Sequence, residues 1–281
     1  MKSEASLLWI SVSPFLKAFD KRLLAQLAGK AAIRRWEYVQ AVDEPCCLDA
    51  IVEALHAYVR ERADSEKSSY QATGRASSKL HLLGHGTSGV VALLYARRYP
   101  QQVASLTLLS VSAEPGVNWQ AHYYALRQLL PCNRQRLLSH MSRLLLGKQS
   151  PRFAQALAQL LAKDLDSNLT LHSLGHDIRI STGGTPMPLL VCNGEIDSIV
   201  CSQQQLLWQT WMKPSDRLWH CPEGKHFFHY YYPEVVAEKI LEHISKTTTD
   251  SLTESYFQIA QAGCVESTYR HEGLSTLLNR P

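Results

Sequence analysis

Three short stretches carry the residue types from which chemistry is made. The first is a glycine-spaced turn, Gly84-His85-Gly86-Thr87-Ser88, between an apolar run (Leu80, Leu82, Leu83) and a helical pattern from Val90 to Arg98. Gly86 at its centre tolerates unusual backbone angles, but it offers no hydroxyl, thiol or carboxylate to attack a substrate. The second stretch, Asn193-Gly194-Glu195-Ile196-Asp197, follows the apolar run 188–192 and ends on a carboxylate. The third, Lys225-His226-Phe227, follows the run 217–221 and holds an imidazole, which changes charge near neutral pH. Taken singly, Asp197 reads as a loop-capping carboxylate and His226 as a hydrogen-bonding residue at a strand end; their joint position after the two apolar runs points to a site.

Alternating strands and helices must position these stretches. Leu7 to Val12 reads as a buried strand, and Phe15, Leu16, Phe19, Leu23, Leu24 and Leu27 fall at helical spacing, so a helix is expected over Phe15–Ala28. A strand over Ala32–Val39 and a helix over Leu48–Arg62 follow. Residues 63–78, polar and without periodicity, read as a surface linker into the glycine turn. Pro100 ends the next helix before a strand over Leu106–Leu109. From Ala113 to Pro186 the alternation gives way to helical patterns at 126–130, 136–146 and 153–161, with Arg127, Arg134, Arg136, Arg143, Lys148 and Arg152 on their polar faces. A solvated face explains that charge, and an acidic partner is the sharper alternative. Strands over 188–192 and 217–221, a helix over 203–211 and a last helix over 234–244 complete the core, leaving a tail with one weakly helical piece at 256–262. Strands alternating with helices predict an α/β fold with a mostly parallel central sheet covered on both faces.

The totals narrow the class. With 281 residues, 45% hydrophobic and 19% charged, the chain can bury a full core. A net charge of +4 and a pI near 8.6 are too mild, and too dispersed, to point to nucleic acid. No apolar run approaches the roughly 20 residues that span a bilayer, and no leader pattern opens the chain. Seven cysteines stand at no framework or zinc spacing, the vicinal pair Cys46-Cys47 included, so reduced thiols in a cytoplasmic protein without metal or cofactor are expected.

The order of glycine turn, Asp197 and His226, with the wording LLVCNGEID and KHF, resembles the α/β-hydrolase fold superfamily over roughly residues 7–245. The resemblance implies a core over 1–112 and 187–245, an inserted helical cap over 113–186 and a tail over 246–281. It makes Gly86 the nucleophile position, Asp197 the acid and His226 the base of a triad that lacks its nucleophile. Ser88, two residues beyond the apex, is a weaker substitute, expected in the first helical turn. For the oxyanion donors the resemblance implies the N–H of Thr87 and that of Ser13 in Ser11-Val12-Ser13-Pro14; a one-residue shift would put Pro14 there and remove one donor. His85 stands beside the apex as in G-H-S elbows. Trp119, His122, Tyr123 and Tyr124, with the aromatic run after His226, either line a pocket or pack the core.

A glycine at the apex followed by Thr, with Trp119 downstream, is similar around the elbow to the N-myc downstream-regulated family, whose members keep the fold and are regarded as non-enzymatic. The expected function is a non-hydrolytic module binding a small apolar or amphipathic ligand or a protein. The alternative is an esterase-like hydrolase or a lyase with His226 as general base and Asp197 orienting it.

Overall fold

The computed structural model describes residues 5–40, 47–70, 79–114, 116–167 and 183–249. Residues 1–241 form one compact unit and 242–281 a second, whose described residues, 242–249, are helical. The tail piece 256–262, Cys46 and Cys264 lie outside the described residues.

Six strands, β1 (Ser6–Ser11), β2 (Ala32–Glu37), β3 (Leu80–His85), β4 (Val103–Leu109), β5 (Leu189–Gly194) and β6 (Arg217–Cys221), form one sheet in the order β2-β1-β3-β4-β5-β6. Every neighbouring pair is parallel. Strands β1 and β5 are buried at all six positions, as continuous apolar runs must be when helices cover both faces. Helices α2 (Leu48–Tyr70) and α3 (Thr87–Arg98) bury Ile51, Val52, Leu55, Val91 and Tyr95 in a core shared with Leu82, Leu106 and Val191. Each such side chain contributes about 1.5–3 kcal/mol by leaving water.

The chain steps outward from β1 to β2, then returns to lay β3 on the other flank of β1. β1 and β3 stay paired up to Ile10 and Gly84, and the connections that leave their C-terminal ends run to opposite sides, which in parallel sheets opens the crevice where ligands bind. Three helices, α4 (Trp119–Leu129), α5 (Arg134–Leu146) and α6 (Pro151–Ser167), lie between β4 and β5 in the chain. Their apolar faces form a second core with Leu16, Phe19 and Phe227, which follow the C-terminal ends of β1 and β6. Arg134 is paired with Asp166 at 2.6 Å, so part of the basic face of these helices is internally neutralised.

Several expected boundaries move: the helix expected at 126–130 is Trp119–Leu129, the strand expected over Leu106–Leu109 starts at Val103, and two further shifts have a local cause. The stretch 14–20 is not helical; it is a run of turns held by Leu16 N–H to Ser13 O, Phe19 N–H to Leu16 O and Asp20 N–H to Lys17 O, and α1 begins only at Lys21 (Lys21–Ala28). Pro14 and the need to turn off the end of β1 outweigh the helical spacing of the apolar residues. In the other direction, α2 runs through the expected linker to Tyr70, because Ala, Glu and Lys sustain a helix without an apolar stripe to bury.

The glycine spacing has a packing cause as well as a turn cause. A Cβ on Gly84 would lie 2.7 Å from the backbone of Ser88 and Gly89, and one on Gly89 would lie 2.4 Å from the Val111 side chain and 2.9 Å from Gly84 O. The two glycines let α3 start directly against the end of β3. Gly84→Ala is expected to cost on the order of 3 kcal/mol in urea unfolding, since backbone rather than a flexible side chain must give way; a loss under about 0.5 kcal/mol would show that the helix start is free to shift.

Candidate functional site

Gly86 caps the N-terminus of α3 with φ 53° and ψ −127°. This left-handed region is strained for any residue with a Cβ, and it is reached here because β3 must reverse into a helix within one residue. The turn is pinned by Gly86 N–H to Leu109 O at 2.9 Å. Space above it is open: a Cβ on Gly86 would meet no atom within 4 Å.

Two loops from β5 and β6 bring Asp197 and His226 together. His226 Nδ1 and Asp197 Oδ2 are 3.0 Å apart, with the residues 1% and 4% exposed. Asp197 Oδ1 accepts the N–H of Ile199 at 2.8 Å and of Val200 at 3.2 Å. Burial alone would raise the Asp197 carboxyl, but the charge and hydrogen bond of His226 and the two amides outweigh it and hold the carboxyl below its ordinary range. The tautomer that donates Nδ1–H to Asp197 is the one whose Nε2 can accept a proton.

The His226 backbone is held as firmly as its ring. Its carbonyl accepts the Ser110 hydroxyl at 2.7 Å and faces His85 Nε2 at 3.0 Å. Ser110 reaches it from a positive-φ position (φ 47°) just past β4. His85 sits 4.9 Å from the His226 ring and 4.7 Å from the His229 ring, centre to centre. Burial, then the charges of His229 and His226, hold its imidazole well below the ordinary value, so it stays neutral. His122 on α4 is lowered too, by burial first and then by His140 and His226, with Asp197 pulling the other way.

A cavity of about 30 Å³ lies over the turn, lined by His85, Gly86, Thr87, Ser88 and His226 on the sheet side. Trp9, Ser11, Ser13 and Asp20 line it from β1 and the turns that follow, and Asn118, Trp119 and Gln120 from the start of α4. It holds about two or three water-sized positions. Of the expected residues, Gly86, Thr87, Ser13, His85, Trp119 and His226 meet at this cavity, and Asp197 stands behind His226. Ser13 lines it and Pro14 does not. Thr87, as the first residue of α3, presents an N–H that has no partner within the helix. Ser88 is where the first helical turn put it: its hydroxyl is buried and accepts Val12 N–H at 3.0 Å. Tyr123 is the exception. It is 1% exposed, belongs to the core of α4–α6, and is not among the residues lining this cavity, because the helix turns it toward Tyr124 and the α5 side chains.

Sequence reasoning passed over Asp20 and Gln120. Asp20 is a second buried carboxylate: Oδ2 accepts the Trp9 indole N–H at 3.1 Å and is 3.4 Å from Arg35, and Oδ1 lies 3.3 Å from His229 Nε2. Gln120 is buried, and its Nε2 donates to Asp164 Oδ2 at 3.2 Å. Asp20 sits in a stretch read for apolar spacing and Gln120 in one read for its aromatic and histidine residues, and the signal that finds both is a polar residue on the buried side.

No family model matches the sequence. The uncharacterized protein alr2406 of Nostoc sp. PCC 7120 is 36% identical over 263 residues, covering 92% of this chain and 100% of that protein. The chain belongs to the family of alr2406. The uncharacterized protein sll0249 of Synechocystis sp. PCC 6803 is 39% identical over 237 residues, 84% of this chain and 89% of the relative. Among solved structures, an esterase from Thermogutta terrifontis and a hydrolase from Pseudomonas aeruginosa PA01 each superpose with a TM-score of 0.62. They are 19% and 17% identical, and each alignment covers 87% of this chain and 91% of the other. The fold of this family member is the α/β-hydrolase fold, with a six-stranded parallel sheet. No helix among the described residues is long and apolar enough to cross a membrane.

Proposed function

We propose that this protein is a non-hydrolytic ligand-binding module of the α/β-hydrolase fold, in which Gly86 stands where hydrolases carry the nucleophile, as the likeness to the N-myc downstream-regulated family suggests. Helices α4–α6 act as the cap over its cavity. The observation that carries the reading is the apex itself: the backbone takes the strained turn, and the residue there has no atom that can form an acyl intermediate. The nearest expected substitute, Ser88, spends its hydroxyl on Val12. The five described cysteines are free, which fits action in the cytoplasm.

A second reading has its own observation. The Asp197–His226 pair keeps the geometry of a working acid–base couple, and a water held over Gly86 would give its proton to His226 Nε2 as it attacks an ester. Rapid mixing with p-nitrophenyl acetate separates the two. The binding module releases no p-nitrophenol beyond the buffer rate, whether wild type or His226→Ala. Steady release without a burst, lost in His226→Ala, would replace it with the water-activating enzyme, and a burst of one equivalent would show a nucleophile on this chain.

A further inference from the structure

A second concavity, of about 900 Å³, lies between α5 and α6, and none of its lining residues belongs to the cavity over Gly86. Small-molecule sites occupy roughly 300–1,000 Å³, so this groove is of that size. Its floor is apolar: Ala154, Ala158 and Ala162 recur every fourth residue on one face of α6, and Leu138 of α5 joins them. Three cations line it, Arg134, Arg143 and Lys148, and no carboxylate does. Arg134 also reaches the Ala162 carbonyl at 3.4 Å and is neutralised by Asp166. Arg143 and Lys148 stand exposed at the opposite end, where α5 finishes, and neither has an ion-pair partner among the described residues. The groove is therefore polarised along its length, with free positive charge at one end and an apolar floor running to a neutralised end. Over residues 119–167 Lys and Arg outnumber Asp and Glu by seven to two, while the whole chain is only +4, so its excess positive charge sits in these helices.

We propose that this groove binds a single-chain anionic amphiphile of the fatty-acid class, its carboxylate held by Arg143 and Lys148 and its hydrocarbon chain laid over Ala154, Ala158 and Ala162 toward Arg134. An arginine and a lysine give a carboxylate charge-assisted hydrogen bonds. A wholly polar anion would leave the apolar floor bare, and a neutral or cationic chain would leave the two cations without counter-charge. The alanines also favour a chain over a protein helix. A docking helix seats large side chains at i, i+3 or i+4 and i+7, whereas three alanines and a leucine make one shallow trough. The site stands apart from the cavity over Gly86 and does not depend on whether that cavity binds or hydrolyses its ligand.

Isothermal titration of sodium dodecanoate into the full chain, below its micelle concentration, tests the assignment, with decanoate and dodecyltrimethylammonium as comparators. Dodecanoate is expected to bind saturably, and decanoate about tenfold more weakly, because two fewer methylenes leave water. Dodecyltrimethylammonium should bind at least about tenfold more weakly than dodecanoate, because it brings like charge to Arg143 and Lys148. The double variant Arg143→Gln, Lys148→Gln should weaken dodecanoate at least about tenfold without weakening the quaternary ammonium. Arg127→Gln with Arg136→Gln, the same charge change at exposed residues outside the groove, should stay within about twofold of wild type. Absence of saturable dodecanoate binding, equal affinity for the two charges, or equal losses in the two double variants would overturn the proposal. So would phosphatidylglycerol vesicles that bind where dodecanoate does not, which would give the groove to a lipid surface, or a glutamate-rich helical peptide that does so, which would give it to a protein.

Discussion

Serine in place of Gly86 is expected to turn the site into an esterase, raising p-nitrophenyl acetate turnover at least about 100-fold over wild type, the lower end of what a positioned acid–base group contributes. The reasons are geometric. The turn at Gly86 already has φ 53° and ψ −127°, a Cβ there meets nothing within 4 Å, and His226 is already oriented by Asp197 at 3.0 Å. The new hydroxyl needs only a base and donors for the oxyanion, and Thr87 and Ser13 line the same cavity. Adding His226→Ala should return the rate to background. The same substitution should destabilise the fold by on the order of 1–3 kcal/mol, because a residue with a Cβ is forced into left-handed backbone that glycine adopts freely. Folded Gly86→Ser without turnover would mean that His226 is not aligned with the apex. An unchanged melting temperature would mean that the turn relaxes out of the strained conformation.

The largest loss of stability is expected from Asp197→Ala, on the order of 3–5 kcal/mol by urea unfolding at pH 7.5. Three groups lose their acceptor at once: the buried His226 ring and the N–H groups of Ile199 and Val200. Asp197→Asn, which keeps an oxygen for the two amides, should cost less. The pH dependence has a definite sign. The folded Asp197 carboxyl titrates below its ordinary 3.8, so on acidification the unfolded chain binds the proton first. The stability it contributes is complete above about pH 4 to 5 and is lost as pH falls through the depressed value. His85 acts in the same direction in a higher window. Its folded imidazole titrates well below 6.5, so stability present above that value falls as pH drops beneath it. Wild type should therefore weaken as pH falls below about 6.5, with the Asp197 contribution lost in addition below about pH 4, and Asp197→Ala should lack only that added loss. A variant that keeps the added loss would show that another carboxyl produces it.

What could be read along the chain was whatever repeats locally. Apolar runs alternating with helical spacing identify the strands around Leu8, Leu82, Leu106, Val191 and Leu218, because each residue's burial depends on its own period. The glycine turn, the NGEID loop and the KHF loop are local too, and their resemblance to the α/β-hydrolase pattern led to the expectation that Asp197 and His226 pair, a contact the structure has at 3.0 Å. Boundaries were less legible. The turns at 14–20 replace helix because the chain must leave β1 toward the cavity, and α2 runs to Tyr70, beyond the last residue of its apolar stripe. Tertiary structure alone decided which polar side chains meet. Asp20 finds Trp9, Arg35 and His229 across as many as 209 positions of sequence, and Gln120 finds Asp164 across 44. It also turned Tyr123 into the core and brought Gln120 to the cavity from nearly adjacent positions of one helix. Periodicity assigns a residue to a face, but hydrogen-bond partners are chosen by the packing of distant segments, and no local pattern carries that information.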